Sequence, residues 1–161
     1  MHTIDRLDRR ILDILQSDSS LSVAQVAERV GLSQSPCWRR IDRLENAGVI
    51  KRRVALLERK KLNLNVLVFA HVKLDTHSKN ALPEFAEAIE GFPEVLECHV
   101  LMGPVDFMLR IVTKDVESYE RFFFENLSKL PQVREVNSMI ALSAIKDTTA
   151  LPLEHSFEQA I

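Results

Sequence analysis

The side chains able to do covalent or acid–base chemistry are scattered here in ways that serve no familiar constellation. His71 and His99 fall inside alternating apolar runs, and His77 stands near the start of a helical pattern. No serine or cysteine stands beside a histidine in a recognisable nucleophile motif. His99, between Cys98 and Val100, has the chemistry of a ligand, but a histidine on a strand face is the more ordinary arrangement. Glu84, Glu87 and Glu90 recur at spacing three, as the wet side of a helix rather than an acid–base pair. Cys37 and Cys98 make neither a disulfide framework nor a metal-ligand spacing, and their apolar neighbours predict buried thiols. An enzyme, a metal centre and a cofactor are therefore not expected.

The chemistry that stands out is cationic. In Leu32 to Ile50, LSQSPCWRRIDRLENAGVI, the apolar Cys37, Ile41 and Leu44 recur at helical spacing. Ser35, Pro36, Arg39 and Arg43 fall on the opposite stripe, with Arg40 to one side. Ser33 is placed to cap this helix through its hydroxyl, with Gln34 beside it. Pro36 sits in the first turn, where a missing N–H costs little, and Gly48 can supply the left-handed residue that ends the element. Guanidinium groups suit bidentate contact with phosphate and with guanine edges. Alone, such a stripe also fits a solvated amphipathic helix. Trp38 lies about one-sixth of a turn from Ile41, which predicts a place at the rim of the core rather than stacking on a base.

The flanking elements favour the nucleic-acid reading. Ile4, Leu7, Ile11, Ile14 and Leu15 predict a first helix over about Asp5 to Gln16, with Asp5 as its cap and Asp8 favourable to the helix dipole. Ser22 and Gln25 form a capping-box pair, flanked by Leu21 and Val26 as a hydrophobic staple. Val23, Val26, Ala27 and Val30 then give a second helix, ended by Gly31. Helix, glycine turn and capped basic helix is the order of a helix-turn-helix, whose second helix enters the major groove. After it, VIKRRVALL reads as a strand that brings Lys51, Arg52 and Arg53 within reach of a flanking phosphate; a solvated basic linker fits equally well. ERKKLNLN follows as a hinge.

Charge divides the same way. The whole chain carries −2, but residues 1–63 hold 13 Lys+Arg against 8 Asp+Glu, and residues 64–161 hold 8 against 15. One part is suited to a polyanion and the other is not. No apolar run is long enough to cross a membrane, and MHTIDRLDRR lacks the core of a signal peptide, so a cytoplasmic protein is expected.

The second part reads as β-α-β-β-α-β. Val66 to Leu74 alternates; Leu82, Phe85, Ala86 and Ile89 recur helically up to Gly91; Leu96 to Met102 alternates. A turn leads into Phe107, Leu109 and Ile111. Asp115 then caps a helix carrying Val116, Tyr119, Phe123 and Leu130, and Val136 to Ala144 alternates. This is the ferredoxin-like order, with both helices on one face of an antiparallel sheet. Met139, Ala141 and Ile145, on the second parity of the last strand, suggest that a partner chain covers the other face. The turn Gly103 to Asp106 can hold a carboxylate on backbone N–H groups and an ammonium on Asp106, or be a β-turn in which Asp106 bonds its own backbone, the more ordinary arrangement.

Taken together, the sequence resembles the Lrp/AsnC family of transcriptional regulators. The marks are IDRLDRRIL, LSQSPCWRRIDRLENAGVI, the Gly-x-x-Asp turn at Gly103 to Asp106, and the closing AIKDTTALPL. The resemblance implies an α+β protein: a winged helix-turn-helix domain over 1–52, a strand and hinge over 53–63, and a ferredoxin-like amino-acid-responsive and oligomerisation domain with its tail over 64–161. It implies double-stranded DNA as partner, a homodimer assembling further to an octamer, and an amino-acid effector bound between dimers. Carried over by position, Gly103 and Asp106, with Met102 and Val105 beside them, become effector-site candidates, and Thr148 and Thr149 weaker ones. Pro104 and Val105 stand where the family often has an acidic residue and an aromatic, which predicts a stiffer, more apolar turn. Gln34 replaces a common proline, either adding an amide able to read adenine or merely filling a first-turn position.

The expected function is thus a sequence-specific, DNA-binding transcriptional regulator. Ser33, Gln34, Ser35, Pro36, Arg39, Arg40 and Arg43 form its reading helix, with Lys51, Arg52 and Arg53 as flanking contacts. Arg43, Gln34 and Ser35 would read bases, and Arg39 and Arg40 would grip phosphates. The rivals are a metabolite-binding ferredoxin-like protein whose N-terminal unit is an adaptor with no DNA role, and a protein–protein adaptor.

Overall fold

The computed structural model describes residues 4–75 and 80–155; His77 lies outside them. The chain divides into two compact units. Among the described residues, the first comprises 4–56 with 146–155, and the second 57–75 with 80–145.

The first unit is three helices. Helix α1, Arg6–Ser17, starts with a reciprocal cap: Asp5 Oδ1 accepts from the N–H groups of Leu7 and Asp8, 2.8 Å each, and the Asp5 N–H donates to Asp8 Oδ2 at 3.1 Å. Helix α2, Val23–Val30, has the expected Ser22–Gln25 capping box and ends on Gly31 at φ +77°, a conformation that strains any L side chain. Helix α3, Gln34–Asn46, is followed by Gly48 at φ +71°. Its cap differs from expectation. Ser33 occupies the N-cap position but its hydroxyl makes no capping bond. The physical reason is Pro36. It stands at the third helical position, so it lacks the N–H that a capping hydroxyl ordinarily takes. Ile11, Leu15, Val26, Val30, Cys37, Ile41 and Leu44 meet in one core, which burial alone makes worth about 1.5–3 kcal/mol per large side chain.

One further expectation fails in this unit. Residues 51–58 form no strand: the segment is exposed and no partner strand offers it a ladder. An extended segment without a neighbour leaves its backbone groups to water. Residues 146–155 of the tail pack in this unit as well. Gln16 Nε2 donates to the Leu151 carbonyl at 3.1 Å, Leu151 N–H donates to Gln16 Oε1 at 2.9 Å, and Leu153 joins the three-helix core.

The second unit is the β-α-β-β-α-β sheet in the order β2-β3-β1-β4, all pairs antiparallel. Its elements are β1 Val66–Leu74, α4 Ala81–Glu90, β2 Val95–Val100, β3 Phe107–Thr113, α5 Val116–Glu125 and β4 Val133–Ile140. Both helices cover one face, where Val68, Val72, Phe107, Leu109, Phe85 and Phe122 are buried. Some details move. Leu82 and Val116 are exposed, and Ala81 and Phe122 take the buried positions instead. The last strand stops at Ile140, four residues short of the alternating pattern. Cys37 is buried as expected, but Cys98 is exposed, because β2 is an outer strand with a neighbour on one side only. The second sheet face carries Leu67 and Phe69 of β1, Met108 of β3 and Met139 of β4, interleaved with His71, Asn137 and the ion pairs Lys73–Glu135 at 3.2 Å and Arg110–Glu97 at 2.9 Å.

Candidate nucleic-acid interface

Helix α3 carries its buried stripe into the three-helix core and leaves the opposite stripe in solvent. Ser33, Gln34, Ser35, Pro36 and Arg39 are all exposed. Because Pro36 removes the internal target of the Ser33 hydroxyl, that hydroxyl and the first N–H groups of the helix remain available to an anion. Trp38 is 54% exposed and is not among the side chains packed on the core, so the rim position expected for it is not observed.

The arginines sort into two kinds. Arg39 makes no ion pair or hydrogen bond among the described residues and stands free at the surface. Arg40 and Arg43 do not. Arg40 Nη1 donates to Asp8 Oδ1 at 2.8 Å and to Asp5 Oδ2 at 2.5 Å. Arg43 Nη2 donates to Asp8 Oδ2 at 2.5 Å. Asp8 is completely buried, whereas the Arg43 side chain stays 47% exposed. Burial pushes the Asp5 carboxyl up, but the Asp8 N–H and the Arg40 guanidinium outweigh it and hold the group below the usual carboxylate range. From its position in the sequence, Asp8 has only a role toward the helix dipole. Its partners lie 32 and 35 residues away, and local spacing carries no signal of them.

Beyond α3, Lys51 and Arg52 are exposed and make no ion pair among the described residues, whereas Arg53 Nη2 folds back on Glu45 Oε1 at 2.8 Å.

In the second unit, the turn after β2 is not the self-bonded β-turn. Asp106 does not bond its own turn. Its Oδ2 accepts from the Leu74 N–H at 2.7 Å, its N–H donates to the Val72 carbonyl at 3.0 Å, and its carbonyl accepts from Leu101 N–H at 2.8 Å. Asp106 is thus the post that ties the turn to the end of β1. Met102 and Gly103 are fully in solvent and Val105 is half-buried. Gly103 has no left-handed φ, and a Cβ built on it would meet nothing within 4 Å. Neither backbone nor packing inside this chain requires glycine there. Thr148 and Thr149 are exposed and belong to the first unit, so the fold of one chain does not gather all six effector candidates into one unit.

Comparison with known proteins agrees with this architecture. Residues 4–51 match the family model for a winged helix-turn-helix DNA-binding domain, and residues 67–151 match that for the Lrp/AsnC ligand binding domain. The chain belongs to the Lrp/AsnC family of transcriptional regulators. It is 34% identical to the glutamate uptake regulatory protein of Zymomonas mobilis over 157 residues, 98% of this chain and 95% of that one. It is 35% identical to the DNA-binding transcriptional activator DecR of Escherichia coli, across 94% of this chain and 99% of DecR. Among solved structures, a transcriptional regulator–L-Met complex from Neisseria meningitidis superposes with a TM-score of 0.93 at 36% identity, covering 96% and 99% of the two chains. An AsnC family regulator from Agrobacterium tumefaciens gives 0.88 at 48% identity, covering 93% and 97%. As a family member this chain is a DNA-binding transcriptional regulator with a ligand-binding domain. No helix among its described residues is long and apolar enough to cross a membrane.

Proposed function

We propose that α3 reads the major groove of an operator, and that an amino acid held at the Met102–Asp106 turn modulates that binding. The observation that carries the DNA half is the outer stripe of α3: Ser33, Gln34, Ser35 and Arg39 exposed together on a helix whose other stripe is anchored in a core. Gln34 and Ser35 have the donors and acceptors to read base edges, and Arg39, Lys51 and Arg52 have free charge for phosphates. Arg40, Arg43 and Arg53, already engaged with carboxylates, serve the protein first.

The effector half rests on the turn. Asp106 spends one oxygen on Leu74 and keeps lone pairs for an ammonium, and Gly103 leaves open space where a ligand backbone can approach. The exposed Met102 and the half-buried Val105 suit an apolar side chain, and the Neisseria meningitidis regulator solved with L-Met makes methionine the first amino acid to try. The chain is a dimer at least, with the apolar second sheet face covered by a second copy. The effector sits between such dimers, where Thr148 and Thr149 of another chain can join the turn, and its binding shifts assembly toward or away from the octamer.

A thermal-shift screen of the twenty amino acids tests the effector half. A ligand that binds only the folded protein raises the melting temperature, by about 2.7 kcal/mol of added stability at a hundred times its Kd. Apolar amino acids should raise it, and Asp106→Ala should remove the effect. A flat response across all twenty would end the effector reading.

A further inference from the structure

Asp8 sits under α3 and reaches the outer stripe only through Arg43. It is completely buried, and both of its oxygens are committed: Oδ1 to Arg40 at 2.8 Å, and Oδ2 to Arg43 at 2.5 Å and to the Asp5 N–H at 3.1 Å. A buried carboxylate is costly to form unless paired, so the pairing holds both guanidiniums firmly. Asp5 adds a second negative charge on Arg40. Two arginines of the basic helix are thereby neutralised by two carboxylates of α1. The free charge on the outer stripe of α3 is left to Arg39.

This matters because phosphate contacts add affinity for any duplex, whereas base contacts distinguish one from another. We propose that Asp8 is a specificity-determining residue: by withholding Arg40 and Arg43 from phosphate, it lowers the grip on random DNA and fixes the angle at which α3 presents Gln34 and Ser35. It acts through the arginines and not by contact, so it is a positioning residue. The proposal rests on the reading that α3 meets DNA.

The test uses the full-length chain, a duplex that the protein itself selects from a random pool, and a scrambled duplex of equal length. Binding is measured by fluorescence anisotropy between 50 and 200 mM salt. Arg43→Gln in the parent protein should leave the salt slope on scrambled DNA within about 0.3, since the locked guanidinium contacts no phosphate. Asp8→Asn keeps the shape and removes the charge. It should steepen that slope by about 0.9, which is an extra 3.5-fold or so of salt sensitivity across the range, and lower the preference for the selected duplex. Adding Arg43→Gln to Asp8→Asn should take the added slope back. A folded Asp8→Asn protein with the parent's slope and preference overturns the proposal, and so does a drop of about 0.9 for Arg43→Gln alone. If Asp8→Asn does not fold, the single Arg43→Gln measurement decides in the same terms. A parent protein whose binding shows no salt slope would fell the DNA reading of α3 itself, a result separate from those two.

Discussion

Arg39 and Arg43 are four residues apart on one helical stripe, yet their surroundings give them different work. Arg39 is exposed and makes no ion pair among the described residues, and Arg43 has a buried carboxylate. Arg39→Ala should therefore weaken selected and scrambled duplexes alike and lower the salt slope by about one, as removal of a phosphate contact does. Gln34→Ala should instead cost about 1–3 kcal/mol on the selected duplex and little on the scrambled one. Anisotropy titrations on the two duplexes separate these outcomes; a discriminating effect from Arg39 would make it the base reader. This difference between the two arginines was not legible in the sequence. The stripe was, because helical periodicity is local, but the lock depends on Asp8 reaching across from another helix. Trp38 was misplaced for a related reason: its angle on the wheel is only a fraction of a turn from the buried stripe, and no local pattern says how wide the neighbouring helix makes the core.

At the scale of elements, caps were the most legible features and Ser33 shows their limit. Ser22 and Gln25 announce a capping box by spacing, and the box is present. Ser33 has the right residue type and the right place, but Pro36 deprives it of its donor. The carboxylate caps give a pH dependence whose sign follows from their surroundings. The Ser118 side chain and N–H hold the Asp115 carboxyl below its ordinary value at the start of α5, and Asp8 and Arg40 do so for Asp5 at the start of α1 after outweighing burial. A lowered folded-state value means stability that is fully present above the unfolded carboxylate range, near about 4, and is lost as pH falls through the lower, folded value. Thermal melts should thus hold steady from neutral pH down to about 4 and fall steeply below it. Asp115→Asn should make that fall shallower; a slope identical to the parent's would mean the cap contributes nothing. The segment 51–58 belongs to this scale too. Its alternation is that of a strand, but alternation states only a capacity, and pairing needs a partner strand that the described residues do not supply.

At the scale of the whole molecule, both units were legible in outline because each is built from local elements of ordinary length: three capped helices, then four strands and two helices in ferredoxin-like order. What was not legible is where the tail goes. AIKDTTALPL carries no periodicity, and its place is set by two hydrogen bonds to Gln16 and by Leu153 in the three-helix core. The stability of the DNA-binding unit therefore depends on residues more than a hundred positions away. Leu153→Ala should lower its stability by about 1–2 kcal/mol in urea unfolding, as truncation of a partly buried leucine does. An unchanged midpoint would show the tail to be a passenger. The proposed covering of the second sheet face by another copy is tested at this scale too: Met139→Asp places a charge beside Phe69 and should lower the mass in sedimentation velocity, whereas an unchanged mass would contradict that covering. The most direct test of the whole account remains duplex binding itself. With the full-length protein and duplex selected from a random pool, the logarithm of affinity should fall linearly with the logarithm of salt concentration, and the selected duplex should bind at least about a thousandfold more tightly than a scrambled one. Equal affinity for the two duplexes, or binding indifferent to salt, would contradict it.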